Sequence, residues 1–536
     1  MDHLVLFKGN GTISVNPSSE GSYLYKIGSG KVNGGTFVEL NNCDELNKIA
    51  EEIRDAYTNW IYSINSRFID AGLVVDDLSV FFLTDLSCKR AEVFDTYDVI
   101  CSLILLRRKF EGNSLATALL IGVDSGFLSA FKSVFPNTRV SVQNSTPAVA
   151  GLGRRLLADG LYITRIVGAW MINFFSTKQI VSSINAQKMF FSFYPQMFSE
   201  ELSELKYGDL CEDLNTLLVS ILSDGMHQRT RLRNYSKLAC EAEATGMWVI
   251  DRGFKLRDIC AGLLMGARLW SWYWRQRQFC LIFDGIDLSG LLRVELRYSI
   301  SRVMRLFVFK GPLSRFFKEH CVNELVYYPV EYPMGRMISW VLSSVSSHTQ
   351  RTGFQMGIVS QRRLEQFLAL GEAAVHGPFI NCAPIPDKML AETVPAQLIY
   401  RKSGYQNVEL MEKIYRYKYL EDIHLEQRSN WKLVAPGLHD GEIMLEQLTD
   451  EIINQPNTVF LLKPHPRADN RYLVKSSNLS NVRLTEQPIA QLLAIVSQVF
   501  VTYGSVGFEA RYLGLEVTVV NIPGRVNVSP LLDSSH

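Results

Sequence analysis

The sequence predicts an α/β protein whose strands lie parallel, and three observations predict it. Short apolar runs of strand length alternate with amphipathic runs of helix length, most regularly after residue 430, and strands separated by crossover helices pair in parallel. The chain is 536 residues long, so two or more domains are expected. Its composition, 47% hydrophobic and 20% charged, is that of an ordinary folded protein and excludes a largely disordered one.

Residues 1–40 are rich in Gly, Ser and Asn and are expected to form an irregular edge or hairpin. From Asp44 to Ala71 the apolar residues Leu46, Ile49, Ile53, Tyr57, Trp60, Ile61 and Ile64 recur every three or four positions, which predicts a helix. LSVFFLTD (78–85) then reads as a buried strand, 93–110 as a helix, 115–124 as a strand, 125–135 as a helix and 138–143 as a strand. The stretch 150–320 is mostly helical, with short strand candidates at 188–194 and 279–284, and two further strands are expected at 325–333 and 351–357. Pro384 and Pro386 disfavour either regular element, so 381–389 is the best linker candidate. It divides the chain into an N-terminal domain, 1–382, enlarged by helices, and a C-terminal domain, 383–536.

In the C-terminal domain, strands are expected at 388–393, 431–436, 458–464, 481–486, 499–503 and 515–522. The helices between them open on acidic residues or Pro488 and stop at glycines such as Gly514, the pattern of a doubly wound sheet.

Lys+Arg total 55 and Asp+Glu 54, a formal charge of +1, which argues against a nucleic-acid partner for the molecule as a whole. The nine cysteines are dispersed with no CxxC pair, so they read as reduced thiols of a cytoplasmic protein. No signal peptide is expected, and no apolar run reaches the roughly 18 residues a spanning helix needs. The nearest approaches are 161–175, broken by Arg165, and 259–274, broken by Arg268. The second carries Trp270, Trp272, Tyr273 and Trp274 beside Arg275 and Arg277, which suits either a lipid headgroup boundary or, the favoured reading, a buried amphipathic helix. The histidines 227, 320, 348, 376, 424 and 439 lack zinc spacing, and no metal or cofactor is expected. GSGKV (28–32) and GLGRRL (151–156) read as turns rather than phosphate loops. Arg293, Arg297, Arg302 and Arg305 suit an acceptor groove, an anionic membrane surface or a solvated helix face.

In open parallel sheets ligands bind beyond the carboxyl ends of the strands. Lys463, His465 and Pro466 follow one predicted strand, Gln487 another, and Gly504 and Ser505 a third. Ser505 would open a helix, where free amides attract phosphate, and Gly504 would let that anion approach the backbone. Glu509, one turn later, would accept bonds from ribose hydroxyls. Taken singly, Ser505 is more often only a helix cap, Glu509 a solvated surface acid and His465 a satisfied loop residue. Together they point to a nucleotide.

LLKPHPR (461–467), EQP (486–488) and VTYGSVGFEARYLG (501–514) resemble the nucleotide-binding half of bacterial capsule and surface-carbohydrate glycosyltransferases that use CMP-activated Kdo, sialic acid or related ulosonic acids. The resemblance extends loosely upstream to about residue 280 through YRYKYL (415–420), RTGFQMG and YYPVEYP. It implies the glycosyltransferase-B architecture, two Rossmann-like domains facing a cleft, and a metal-independent transferase with a nucleotide-sugar donor and a glycan or glycolipid acceptor. It also implies that Lys463, His465 and Ser505 face the donor phosphate, and that Glu509 and Gln487 lie near the ribose or cytosine. Tyr503, Gly504 and Ser505 depart from the Ser/Thr-Ser pair frequent in relatives, leaving the phosphate one hydroxyl plus backbone amides.

The opposite domain must supply a carboxylate, as base or as nucleophile, and Glu331 is favoured, with Asp284 second and Asp287 behind it. Against these roles, Asp284 before Gly285 would shape a turn, and Glu331 would pair with Arg336. The expected location is the cytoplasm, at the inner face of the membrane with peripheral contact to it. A CDP-polyol phosphate transferase and a non-catalytic nucleotide-binding assembly protein remain the alternatives.

Overall fold

The computed structural model describes residues 2–15, 22–91, 93–111, 115–144, 150–175, 187–199, 202–211, 216–222, 232–276, 280–320, 322–426, 428–438, 440–465, 468 and 479–533. Among the described residues three large open sheets, each wholly parallel, follow one another along the chain, accompanied by four two-stranded pairings.

The first consists of β1 (Asp2–Lys8), β2 (Ser22–Ile27), β3 (Val38–Glu39), β4 (Leu115–Ile121) and β5 (Arg139–Gln143), in the spatial order β3-β2-β1-β4-β5. Its helices are α1 (Cys43–Ser63), α2 (Asn65–Asp70), α3 (Thr96–Lys109) and α4 (Ser125–Val134). After α5 (Ala150–Phe175) the second sheet forms from β6 (Lys188–Phe193), β7 (Thr216–Ile221), β8 (Trp248–Val249), β9 (Glu324–Tyr327), β10 (Gln350–Phe354), β11 (Lys388–Ala391) and β12 (Val408–Leu410), in the order β8-β7-β6-β9-β10-β11-β12. It carries α6 (Leu232–Ala244), α7 (Leu256–Arg275), α8 (Ser289–Glu319), α9 (Pro333–Val345) and α10 (Val394–Lys402). The third sheet contains β13 (Arg428–Ala435), β14 (Val459–Leu462), β15 (Val482–Leu484), β16 (Val496–Val501) and β17 (Glu516–Val519), ordered β15-β14-β13-β16-β17, with α11 (Gly441–Asn454), α12 (Ile489–Ile495) and α13 (Val506–Tyr512).

All three sheets begin at their centre, run outward to one side and then cross back to the other. The order therefore reverses beside β1, β6 and β13, and each reversal opens a crevice at the carboxyl ends of two adjacent strands.

Several expectations are corrected. Asp2–Lys8 and Ser22–Ile27 are the central and neighbouring strands of the first sheet, not an irregular edge: Leu4, Val5 and Leu6 are fully buried. A strand covered on both faces is a continuous apolar run without alternation, and HLVLF is such a run. Residues 78–85 form only a two-residue strand followed by a tight 3-10 turn at Val80–Leu83, because an apolar run alone does not separate a buried turn of helix from a strand. Of the candidate at 279–284, Ile282–Phe283 forms a two-residue hairpin with Ile286–Asp287. The break at 382 also moves. β11 pairs with β10 through Thr352–Phe354, and β12 pairs with β11, so both belong to the second sheet and the chain crosses to the third only after Leu410. The N-terminal part is accordingly two parallel sheets rather than one enlarged by helices.

The first two sheets share one continuous apolar core, in which Leu4 and Ile100 join Phe191, Val326 and Met389. The third sheet has separate clusters on its two faces. The tail after β17 returns to the rest of the molecule. Pro523 O accepts from Gly28 N at 2.9 Å, Val526 N donates to Asp98 Oδ1 at 2.9 Å, and the Arg362 guanidinium donates to Asn527 O at 2.6 Å and Ser529 O at 3.1 Å. These bonds fasten the three units to one another.

Candidate functional site

The crevice of the third sheet lies between the ends of β13 and β16. Gly437 follows β13 and is buried under the Tyr503 ring; a Cβ there would lie 2.8 Å from Tyr503 Cζ, so a larger residue would displace that ring. Asp440, also buried, accepts a hydrogen bond from the Thr502 hydroxyl and thereby links the two loops across the crevice. Burial pushes its carboxyl up.

Lys463 follows β14, and its ammonium donates to Glu486 O at 2.8 Å, joining the loops after β14 and β15. His465 lies two residues on, its carbonyl accepting from Ala468 N at 2.9 Å. Gln487 is exposed and its N–H donates to Thr485 Oγ1 at 3.2 Å. Pro466 lies outside the described residues. Gly504 has open space where a Cβ would stand, and Ser505 precedes α13. The Ser505 hydroxyl does not cap that helix; it donates to Glu509 Oε1 at 3.1 Å.

Glu509 is buried and already occupied. Tyr419 donates to its Oε2 at 2.6 Å, and Arg416 Nη1 lies 3.6 Å from its Oε1. The same guanidinium donates to Glu392 from Nε at 2.6 Å and from Nη2 at 2.8 Å, and stacks 4.5 Å above the Tyr417 ring. Glu392 immediately follows β11, whereas Glu509 rides on α13, so Arg416 bridges the second and third units from the segment that connects them. Beside this bridge is a cavity of about 230 Å³ lined by Gln355, Ile358, Thr393 and Ala396 from the second unit and by Phe508, Arg511 and Tyr512 from α13. Residues beyond the carboxyl ends of β10 and β11 and the side of α13 thus line one cavity. Lys206, in the loop after β6, lies in the field of this cluster, and burial together with Arg416 pushes its ammonium down.

Glu331 follows β9, next to the reversal point of the second sheet. It is buried, the Tyr400 hydroxyl donates to its Oε1 at 2.6 Å, and burial raises its carboxyl while that bond and the nearby Arg363 oppose the rise. Arg336 does not pair with it; that guanidinium reaches Glu372 at 3.4 Å and Ser87 at 3.0 Å. Tyr400 is on α10, the helix whose first turn lines the cavity. Asp284 is elsewhere. It sits with Gly285 at positive φ, 51° and 79°, in the two-residue turn of the small hairpin, and its carboxylate pairs with Arg107 of α3 in the first unit. The structure gives it the turn role that the sequence also allowed. Asp287, behind it, accepts from Ser129 and Ser289.

Arg416, Glu392, Gln355 and Lys206 were not singled out in the sequence. Arg416 lies within YRYKYL, but nothing in that hexapeptide announces partners far away in the chain. Among the described residues no cluster of His, Cys, Asp or Glu is arranged to hold a metal ion.

No protein-family model matches the chain, and no curated protein does. Among solved structures, it is similar to the UDP-GlcNAc 2-epimerase of Neisseria meningitidis at 10% identity and a TM-score of 0.33, over 62% of this chain and 82% of that one. It is also similar to the glycosyltransferase SnogD of Streptomyces nogalater at 12% identity and 0.33, over 62% and 81%, and to MurG of Acinetobacter baumannii at 8% and 0.31, over 63% and 79%.

Proposed function

We propose that this chain is a glycosyltransferase that moves an ulosonic acid, of the Kdo, sialic, pseudaminic or legionaminic type, from a CMP-activated donor to a bacterial surface glycan. What supports the reading is one cavity lined by strand-end residues of the second sheet and by helix α13 of the third; the buried carboxyl of Glu331, which follows β9, and the Lys463–His465 and Gly504–Ser505 loops are proposed to act at it.

In that reaction the acceptor hydroxyl oxygen bonds to the anomeric carbon, and the bond from that carbon to the phosphate oxygen breaks. CMP leaves with the electron pair and the hydroxyl proton passes to Glu331. Charge grows on the phosphate as the bond breaks, and Lys463, His465 and the amides at Ser505 are the donors proposed to stabilise it without a metal. Glu331 requires its ionised form for this role. The bond from Tyr400 supports that form against burial.

The test is calorimetric titration with CMP, followed by donor hydrolysis assays with CMP-Kdo, CMP-sialic acid and CDP-glycerol. Binding of CMP that weakens at least tenfold in His465→Ala, with turnover of a CMP-ulosonic acid, is the expected result. Turnover of CDP-glycerol alone would move the assignment to polyol phosphate transfer. Failure of wild type and His465→Ala alike to bind any cytidine nucleotide would overturn the proposal.

A further inference from the structure

Helix α7 is seated on α8 by glycine. A Cβ on Gly262 would lie 2.6 Å from Val308 Cγ2 and 2.7 Å from Met304 O, and Gly266 meets the same Met304 side chain. This close approach buries Met265, Leu269, Trp272 and Tyr273, as expected of an amphipathic helix, and fixes which side of α7 remains outside.

The outer side is not the polar face such a helix ordinarily shows. It exposes Leu256, Leu263, Leu264 and Trp274, with Leu264 67% accessible. Lys255 just ahead of the helix and Arg257, Arg268 and Arg275 on it are exposed among them, and none pairs with a carboxylate among the described residues. Arg268 donates to Gly72 O and Arg275 to Ser271 Oγ, bonds that leave both positive charges uncompensated. The single acid of α7, Asp258, is buried in a 2.5 Å ion pair with Arg315. Helix α5 packs against α7 and exposes Leu157, Leu161, Met171, Phe174 and Phe175, the last 84% accessible.

We propose that the outer face of α7, with α5 packed beside it, docks on an anionic lipid bilayer. Apolar side chains would enter the boundary of headgroups and acyl chains, cations interspersed along 20 residues of α7 would meet lipid phosphates, and Trp274 suits that depth. No helix among the described residues is long and apolar enough to cross a membrane, so the contact lies in the plane of the surface. Lipid is favoured over a protein partner because the charge is of one sign and spread along the helix, which matches a continuous anionic surface. The inference is independent of the proposed transferase activity, since vesicle binding needs neither donor nor acceptor.

The experiment is flotation of the full chain with vesicles of equimolar phosphatidylglycerol and phosphatidylcholine, against phosphatidylcholine alone, at low and high salt. Binding to the anionic vesicles that falls with salt is expected. Arg257→Gln with Arg275→Gln should weaken it roughly thirtyfold, about fivefold for each cation removed. Leu263→Asp with Leu264→Asp should abolish it. All four side chains are exposed, so thermal melting should be unchanged in both variants. Absence of wild-type binding to anionic vesicles, or variants that melt normally and bind as wild type does, would overturn the proposal and return the face to a protein partner.

Discussion

Replacing Arg416 by methionine tests whether the seat of the third unit on the second depends on one buried cation. The three side chains concerned, Arg416, Glu392 and Glu509, are 7%, 3% and 8% exposed, so water does not compensate a lost partner. With the guanidinium gone, Glu392 keeps one side-chain donor, Gln355 Nε2 at 3.3 Å, and Glu509 keeps Tyr419 and Ser505. Breaking a buried pair from one side costs about 3–5 kcal/mol because a charge is left uncompensated. Methionine retains much of the arginine stem volume, so packing over Tyr417 adds little. Glu392→Gln alone should cost a similar amount, leaving the arginine facing a neutral amide. In the double variant both charges are gone, and the cost should fall well below the sum of the singles, a coupling of about 2–4 kcal/mol. Urea denaturation of the four proteins measures this, with far-ultraviolet dichroism and tryptophan fluorescence followed separately, because a chain of three sheets need not unfold in one step. A cost below about 1 kcal/mol for Arg416→Met, or strictly additive variants, would refute the reasoning and leave the bridge as a surface pair.

Three further outcomes concern titratable groups. Glu331→Gln preserves shape and the acceptor for Tyr400, so CMP affinity and stability should hold while transfer falls by about two to four orders of magnitude; undiminished transfer would remove Glu331 from the mechanism. Tyr400→Phe removes a bond that lowers the Glu331 carboxyl, so the acid limb of the transfer rate should move to higher pH, and an unmoved limb would show that this carboxyl does not govern the rate. Glu295 on α8 is fully buried against Thr96, and burial pushes its carboxyl up to about 8. Below about pH 4 both folded and unfolded states hold the proton; between there and about 8 only the folded state does, so this group lowers stability as pH rises through that window. Glu295→Gln should therefore gain on wild type progressively in urea melts from pH 5 to pH 8, and parallel curves would contradict the assignment.

The third sheet was the most legible part of the molecule. Its strands, such as TVFLLK and QVFVTY, are continuous apolar runs bounded by Pro, Gly and acidic helix starts, so each element announces itself within its own residues. The same local rule failed at 78–85, where Phe81, Phe82 and Leu83 are buried in a tight turn, since burial and strand pairing leave the same apolar signature. It failed again at Pro384 and Pro386, which read as a linker although β11 begins at Lys388 and pairs with β10. For the candidate site, the strand-end positions of Lys463, His465, Gly504 and Ser505 followed from the alternation alone. The occupation of Glu509 by Tyr419 and Arg416 did not.

Periodicity, helix ends and turn residues determined by themselves that this is a parallel α/β chain and which loops end its strands, because those signals are settled between residues a few positions apart. Only the tertiary structure decided that the described residues build three large parallel sheets, that the crossing comes after Leu410, and that Arg416 joins Glu392 to Glu509. Pairing of strands and meeting of buried charges depend on what each surface excludes from water when distant segments close on one another, and no neighbouring residue records that choice.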